Sequence, residues 1–213
     1  MEITGKRIRI SPLKLEDAFF MKNWGTHENP LLSDYNLPSL SDEEIRKWYN
    51  YKTGEKNRKY YSVFNEGNRF IGYMGIKKIR RIFRDALLGI VFDPNYVNQG
   101  YGTEAITAFL EYYFNEMKMK KLYLEVAQFN KRALRCYEKS GFKIIDRYLD
   151  EFFDQRIDLI DPYFISEKSS FVIEGGKVYN YIYKMKVDKN TYLKAREEID
   201  GQKIKNQTRS TID

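Results

Sequence analysis

The chain has 213 residues, 42% of them apolar, and a formal net charge of +7. That is enough for one domain with its own core, and no apolar run approaches the roughly 20 residues a membrane-spanning helix needs. One cysteine, Cys136, leaves no internal disulfide, and one histidine, His27 in a polar loop, argues against a multi-histidine metal site and a His-centred triad.

The N-terminal stretch MEITGKRIRISP alternates charged and apolar residues and lacks the apolar core of a signal peptide. The cytoplasm is the expected compartment. KRIRIS (6–11) alternates as a strand does, and LKLEDAFFMKNW (13–24) reads as a helix with Leu13, Phe20 and Trp24 on one side. A loop rich in turn formers follows. SDEEIRKWYNYK (41–52) opens with Ser41 and carries Glu44 three residues on, the capping box of a second helix.

Three strands come next, KYYSVFN (59–65), FIGYMGIKKI (70–79) and ALLGIVF (86–92), the first two joined by a Glu66-Gly67-Asn68 turn. The densest basic block, KKIRRIFR, ends the second of them. In TEAITAFLEYYFNEMKMKK, the residues Ile106, Phe109, Leu110, Tyr113 and Met117 repeat with helical spacing. Lys118, Lys120 and Lys121 fall where that helix's dipole favours cations. LYLEVA (122–127) is a strand. Asn130 can cap the helix NKRALRCYEK and Gly141 can end it. FKIIDRYL and VYNYIYKMKV are the last strands.

This order predicts a mixed α/β (α+β) layer rather than a doubly wound sheet. One domain is expected over 1–190, with an extended insertion at 146–176 and a polar, disordered tail at 191–213. From Asp146 to Asp161 the insertion holds six carboxylates, an acidic reversal in a basic chain.

Between the third strand and the long helix lies DPNYVNQGYGTEAI (93–106). Backbone N–H groups of a glycine-rich turn at a helix N-terminus converge on one point, and the helix dipole adds positive charge there. Phosphate is the natural occupant. GYGTEA matches G-x-G-x-x-A, yet a dinucleotide fingerprint directly follows its strand, and here Asp93 to Gln99 intervene. A Walker A loop needs Gly-Lys-Ser/Thr, and no lysine stands here. A helix start that binds nothing is the plain alternative.

LGIVFDPNYVNQGYGTEAI resembles the acetyl-CoA signature of the GNAT N-acetyltransferase superfamily. It is especially similar to the branch holding ribosomal-protein N-terminal acetyltransferases and their small-molecule relatives. LYLEVAQFNKRALRCYEKSGFKII is similar to a later block of the same family, with Asn130, Ala133, Tyr137, Gly141 and Phe142 at matching positions. Val97 stands where that family usually has Gln or Arg.

The resemblance implies a mostly antiparallel sheet with splayed middle strands. It implies acetyl transfer from acetyl-CoA to a primary amine in a ternary complex, with no metal. The pyrophosphate would lie on Val97, Asn98, Gln99, Gly100, Tyr101, Gly102 and Thr103. Amides near Val91 and Phe92 would polarise the thioester, Asn130 would touch the CoA, and Tyr137 would protonate the leaving thiolate. Each has a plainer reading: Asn130 as a cap, Tyr137 as a packing residue, and Lys131, Arg132 and Arg135 as a solvated face rather than phosphate ligands. Cys136 is expected in the core, and no general base is visible.

The partners expected are acetyl-CoA and an amine, with a homodimer compatible and neither membrane nor nucleic acid called for. The acidic segment, through Asp150, Glu151 and Asp154, is expected to attract a cationic amine. The rival class is a non-catalytic acyl-CoA-binding module.

Overall fold

The computed structural model describes residues 1–37 and 40–194. The strands are β1 (Ile3–Thr4), β2 (Ile8–Pro12), β3 (Lys59–Asn65), β4 (Phe70–Arg80), β5 (Asp85–Phe92), β6 (Lys121–Ala127), β7 (Lys143–Glu151), β8 (Phe171–Glu174) and β9 (Lys177–Asp188). They form one sheet in the order β1-β2-β3-β4-β5-β6-β9-β7, with β8 also on β9. Every pairing is antiparallel except β5 with β6.

That parallel pair requires a crossover, supplied by α3 (Tyr101–Asn115). α3 buries Ala105, Ile106, Phe109, Leu110, Tyr113 and Phe114 against Ile10, Val63, Met74, Ile76, Leu122 and Leu124. Each buried Leu, Ile or Phe side chain contributes about 1.5–3 kcal/mol, so this face carries much of the fold's stability. α1 (Leu15–Phe19), the 3-10 turn after it and α2 (Asp42–Thr53) cover other apolar residues of the sheet, placing Ala18, Met21 and Ile45 on Phe64, Phe70 and Tyr73.

The β5–β6 pairing is short. Asp85, Ala86 and Leu87 face Lys121, Leu122 and Tyr123, and there it stops. β5 continues along β4 as far as Gly72 opposite Phe92, and β6 continues along β9. The two middle strands therefore diverge, as a V whose closed end is pinned. There the Arg84 carbonyl accepts from the amides of Lys120 and Lys121 at 2.7 and 3.2 Å, and Arg80 forks onto Asp85 at 2.7 and 2.6 Å.

The capping box at Ser41 and Glu44 and the turn with left-handed Asn68 form as their residues predict. Two elements differ from expectation. The helix over 13–24 is α1 followed by a 3-10 turn, Phe20–Asn23, and Trp24 is already extended. α3 ends at Asn115, because Lys118 turns left-handed (φ 56°) while the amides of Met117 and Met119 return to the carbonyls of Tyr112 and Tyr113. The three lysines thus follow the helix, and Lys121 opens β6.

The segment 146–176, expected as an extended insertion, carries elements of its own. It begins inside β7, then folds through α5 (Pro162–Ser166) and β8 around its own aromatic cluster, with Phe171 stacked on Phe129 at 5.4 Å and edge-on to Phe152 at 5.2 Å. Of the tail expected to be disordered, 191–213, residues 191–194 are described and helical, and the remainder lies outside the described residues. Tyr192 packs on Phe114 at 5.3 Å. Among the described residues no helix is long and apolar enough to cross a membrane.

Candidate active site

At the end of β5 the buried Asp93 fixes the turn. Its Oδ1 accepts from the amides of Asn95 and Gly25, both at 3.0 Å. After a 3-10 turn (Pro94–Tyr96) the chain reverses through Asn98 (φ 61°) and Gly100 (φ 86°), and α3 starts at Tyr101. The left-handed region admits glycine and tolerates asparagine, which is why those two residues stand there.

Gly100 caps α3 without a side-chain acceptor. Among the described residues, no protein acceptor meets the amides of 98–103. Free N–H groups and the dipole leave this end equivalent to about +0.5 charge. At Gly102 a Cβ would lie 3.2 Å from Cys136 Sγ and 3.6 Å from the Phe92 ring, so the absence of a side chain keeps the floor open.

This turn opens into a cavity of about 330 Å³ between the diverging strands. Val91, Phe92, Val97, Asn98, Gly100, Tyr101, Gly102, Thr103, Asn130 and Tyr137 all line it. Gln99 does not. Its amide Nε2 donates back to the Asn95 carbonyl at 3.0 Å, and its own carbonyl accepts from Arg7. The Asp93 amide donates to Ile71 on β4 at 2.9 Å. Strand alternation then turns the N–H of Val91 to β4 as well, and those of Ile90 and Phe92 into the gap.

α4 (Lys131–Lys139) forms the facing wall. Asn130 caps it, Oδ1 accepting from Ala133 N at 3.1 Å, and its side chain also bonds Tyr35. Tyr137 rests its ring on Phe142 at 6.0 Å. Burial, reinforced by neighbouring Tyr35, pushes its phenol above the ordinary range, so it keeps its proton at neutral pH. Burial likewise raises the thiol of Cys136, which accepts from Thr103 Oγ1 at 3.4 Å. Cys136 packs on the core as expected while also forming part of the cleft floor.

Arg132, Arg135 and Lys139 line the cleft, whereas Lys131 turns to Glu167 at 3.3 Å. Arg132 is half-buried, burial lowers its pKa, and among the described residues no carboxylate pairs with it. His27, dismissed from the sequence as a loop residue, also lines the cleft. Burial and Arg132 lower its pKa, which leaves it neutral.

A second cavity of about 250 Å³ adjoins the first, sharing Tyr35, Glu125 and Val126. Four carboxylates line it: Asp34, Glu125, Asp150 and Glu151. Glu151 is offset by Lys177 at 3.0 Å. The Tyr148 phenol is pushed up to about 12 by burial and then by Glu125, Asp150 and Asp146, which registers the negative field of this wall. Asp154 is not part of the lining. It accepts from the Arg156 amide at 3.0 Å within its own turn.

Residues 7–143, which contain the turn, the diverging strands and α4, match the acetyltransferase (GNAT) domain family. The chain belongs to that family. It is an acetyl-CoA-dependent N-acetyltransferase, moving acetyl to a primary amine. Nothing favours the non-catalytic alternative.

The acetyltransferase is 26% identical over 147 residues to the spermidine N(1)-acetyltransferase of Vibrio cholerae serotype O1, covering 69% of this chain and 85% of that one. It is 24% identical to the Escherichia coli K12 enzyme of the same name, over 68% and 78% of the two chains. Among solved structures, the spermidine N-acetyltransferase of Vibrio cholerae in complex with CoA and spermine superposes with a TM-score of 0.66 at 23% identity, covering 88% and 98%. A GNAT acetyltransferase from Bacillus anthracis gives 0.63 at 21%, covering 88% and 98%. These likenesses carry the fold. They do not single out the ribosomal-protein branch to which the turn is similar.

Proposed function

We propose that this acetyltransferase modifies a polyamine-like cation, held by the carboxylates of the second cavity while its terminal amine reaches the cleft. The observation that carries this reading is the placement of Asp34, Glu125 and Asp150 in a cavity continuous with the one beside the free helix N-terminus. Carboxylates from three separate segments surround a space suited to an elongated cation, whose remote charges would be matched along the wall. The spermidine enzymes among its relatives support the same choice.

Acetyl-CoA suits the cleft on three local observations. The free amides of 98–103 would hold its pyrophosphate. Arg132, lacking an acidic partner, would meet a further phosphate or the pantetheine carbonyls. The inward N–H of Phe92 would stand at the thioester oxygen, where a fixed donor favours the developing negative charge. Val91 would serve through its side chain and Asn130 by orienting Tyr35 as well as capping α4. Gln99 would serve through its backbone amide alone.

Tyr137, protonated at neutral pH, would donate to the departing thiolate, whose conjugate acid has a pKa of about 8.5. Deprotonation of the amine falls to a neutral group in the cleft, and His27 is of that kind. With acetyl-CoA as co-substrate, the cytoplasm is the working compartment.

Steady-state kinetics on spermidine, spermine, an aminosugar and an N-terminal peptide test the acceptor. The expected order places the polyamines first in kcat/KM by at least about tenfold, a difference of about 1.4 kcal/mol. A peptide that outperforms them would replace the polyamine reading with the protein N-terminal one.

A further inference from the structure

β4 and β5 meet in a hairpin at the opposite end of β5 from the cleft. Its tip, Arg81-Ile82-Phe83-Arg84, carries two large apolar side chains outward: Ile82 is 92% exposed and Phe83 64%. Neither packs on any core cluster. Eight residues of β5, at roughly 3.3 Å each, put about 25 Å between this tip and the turn that begins the cleft.

Arg80 lies over the Phe83 ring at 4.9 Å, and further cations follow along the hairpin and the turn beside it. Lys77, Lys78, Arg81, Arg84, Lys118 and Lys120 form no ion pair among the described residues, while Arg80 is engaged by Asp85. The hairpin and the turn after α3 make one surface. Arg84 accepts from the amides of Lys120 and Lys121, and its Nε donates to the Lys118 carbonyl.

The backbone carries an independent mark. Among the described residues, five that are not glycine have positive φ: Asn68, Lys78, Arg84, Asn98 and Lys118. Two are asparagines, which tolerate that region. The other three are cations, and all three belong to this patch. Glycine would relax each position, so the chain holds positive charge where its backbone favours no side chain.

We propose that the β4–β5 tip is a docking surface for an anionic lipid bilayer, with Ile82 and Phe83 entering the interface and the surrounding lysines and arginines meeting acidic headgroups. Apolar side chains at an apex with cations set behind them match the two layers of such a surface, acyl boundary and charged headgroup. A nucleic acid would satisfy the cations and stack on Phe83, but it would leave the more exposed, aliphatic Ile82 in water. The sequence called for no membrane partner. Surface docking needs no spanning helix, and it leaves the cleft open at the far end of β5. The inference does not depend on which amine is acetylated.

Co-sedimentation of the full-length enzyme tests it, using vesicles of phosphatidylglycerol with phosphatidylcholine against phosphatidylcholine alone, and single-stranded RNA as a competitor. Anionic vesicles are expected to bind the enzyme at least about tenfold better than neutral ones, with binding weakened by salt. An Ile82→Ser/Phe83→Ser variant and an Arg81→Glu variant should each lose about tenfold in vesicle affinity, with kcat/KM unchanged as proof of folding. Absent or lipid-indifferent binding by the wild type would overturn the proposal. So would full retention by the Ser/Ser variant, or RNA binding that displaces the vesicles and depends on the same residues.

Discussion

Arg7 and Glu104 join residues 97 positions apart: Arg7 Nε donates to Glu104 Oε2 at 3.0 Å, and the Arg7 amide donates to the other carboxylate oxygen. The same guanidinium donates twice to the Gln99 carbonyl at 3.2 Å and lies 4.6 Å over the Tyr101 ring. One arginine, just before β2, therefore holds the turn and the first helical turn of α3 from behind. Its position explains how a loop with unpaired amides keeps a fixed shape.

Replacing Arg7 with Ala should loosen that turn. The pair is partly exposed, 39% and 18% for the two side chains, so the charge-assisted bonds contribute about 1 kcal/mol after screening. The dissociation constant for acetyl-CoA is expected to rise about fivefold by titration calorimetry. Lysine should not restore it, because one ammonium cannot reproduce the planar fork between Glu104 and Gln99. Unchanged affinity in a folded variant would remove the clamp from the account.

Gly102 separates stability from binding. It sits inside α3 without positive φ, so alanine suits its backbone and lowers the entropy of the unfolded chain. A Gly102→Ala variant is expected to melt within a few degrees of wild type and to lose about tenfold in acetyl-CoA affinity. Part of that loss comes from the contact with Cys136 Sγ at 3.2 Å. Adding Cys136→Ala isolates the rest, and full recovery of affinity in the double variant would show that the floor, not the ligand, meets the new methyl.

Local signals account for what the sequence reveals. Short apolar runs bounded by turn residues mark β3, β4 and β5 almost to the residue, Ser41 and Glu44 mark a helix start, and Asn130 caps α4 as its type predicts. The turn at 97–103 is legible because glycines at a strand-to-helix junction serve few purposes. Relationships between distant segments leave no such mark. Arg7 reads as one more charge in an alternating strand, and His27 as one more polar loop residue. The acidic wall was half visible through Asp150 and Glu151, but Asp34 and Glu125 join them only through folding, and Asp154 leaves by bonding within its own turn. The insertion is legible by its length and charge, whereas Phe152, Phe164 and Phe171 build a small core only through folding.

The acceptor wall should respond to charge rather than shape. Asp34→Asn with Asp150→Asn is expected to raise the KM for spermidine about fivefold to tenfold and leave the KM for acetyl-CoA unchanged, since two exposed charges each contribute about 0.5–0.7 kcal/mol. Raising ionic strength should imitate the change in the wild type. Asp154→Asn serves as the control and should alter neither constant. Equal effects of Asp150 and Asp154 would point to a diffuse field instead of a pocket.

Tyr137→Phe removes one oxygen and tests both its chemistry and its burial. As the proton donor, its loss is expected to lower kcat about 10²-fold to 10³-fold while the calorimetric affinity for acetyl-CoA holds. A merely packing tyrosine would leave kcat intact. The raised pKa has a second consequence, with its sign fixed by linkage. Folding favours the neutral phenol, so its stabilising contribution is full below the unfolded value of about 10 and is lost as pH rises toward the higher folded value. Tyr61, Tyr73 and Tyr113 are raised by burial in the same direction. Wild-type urea midpoints should therefore fall steeply between about pH 10 and 11, beyond the smaller decline that the raised Cys136 thiol begins near pH 8.5, and phenylalanine at 137 should make the steep fall shallower. An identical alkaline fall in the two proteins would mean that Tyr137 ionises in the folded state as freely as in the unfolded chain, and a protonated donor held by burial would have to be abandoned.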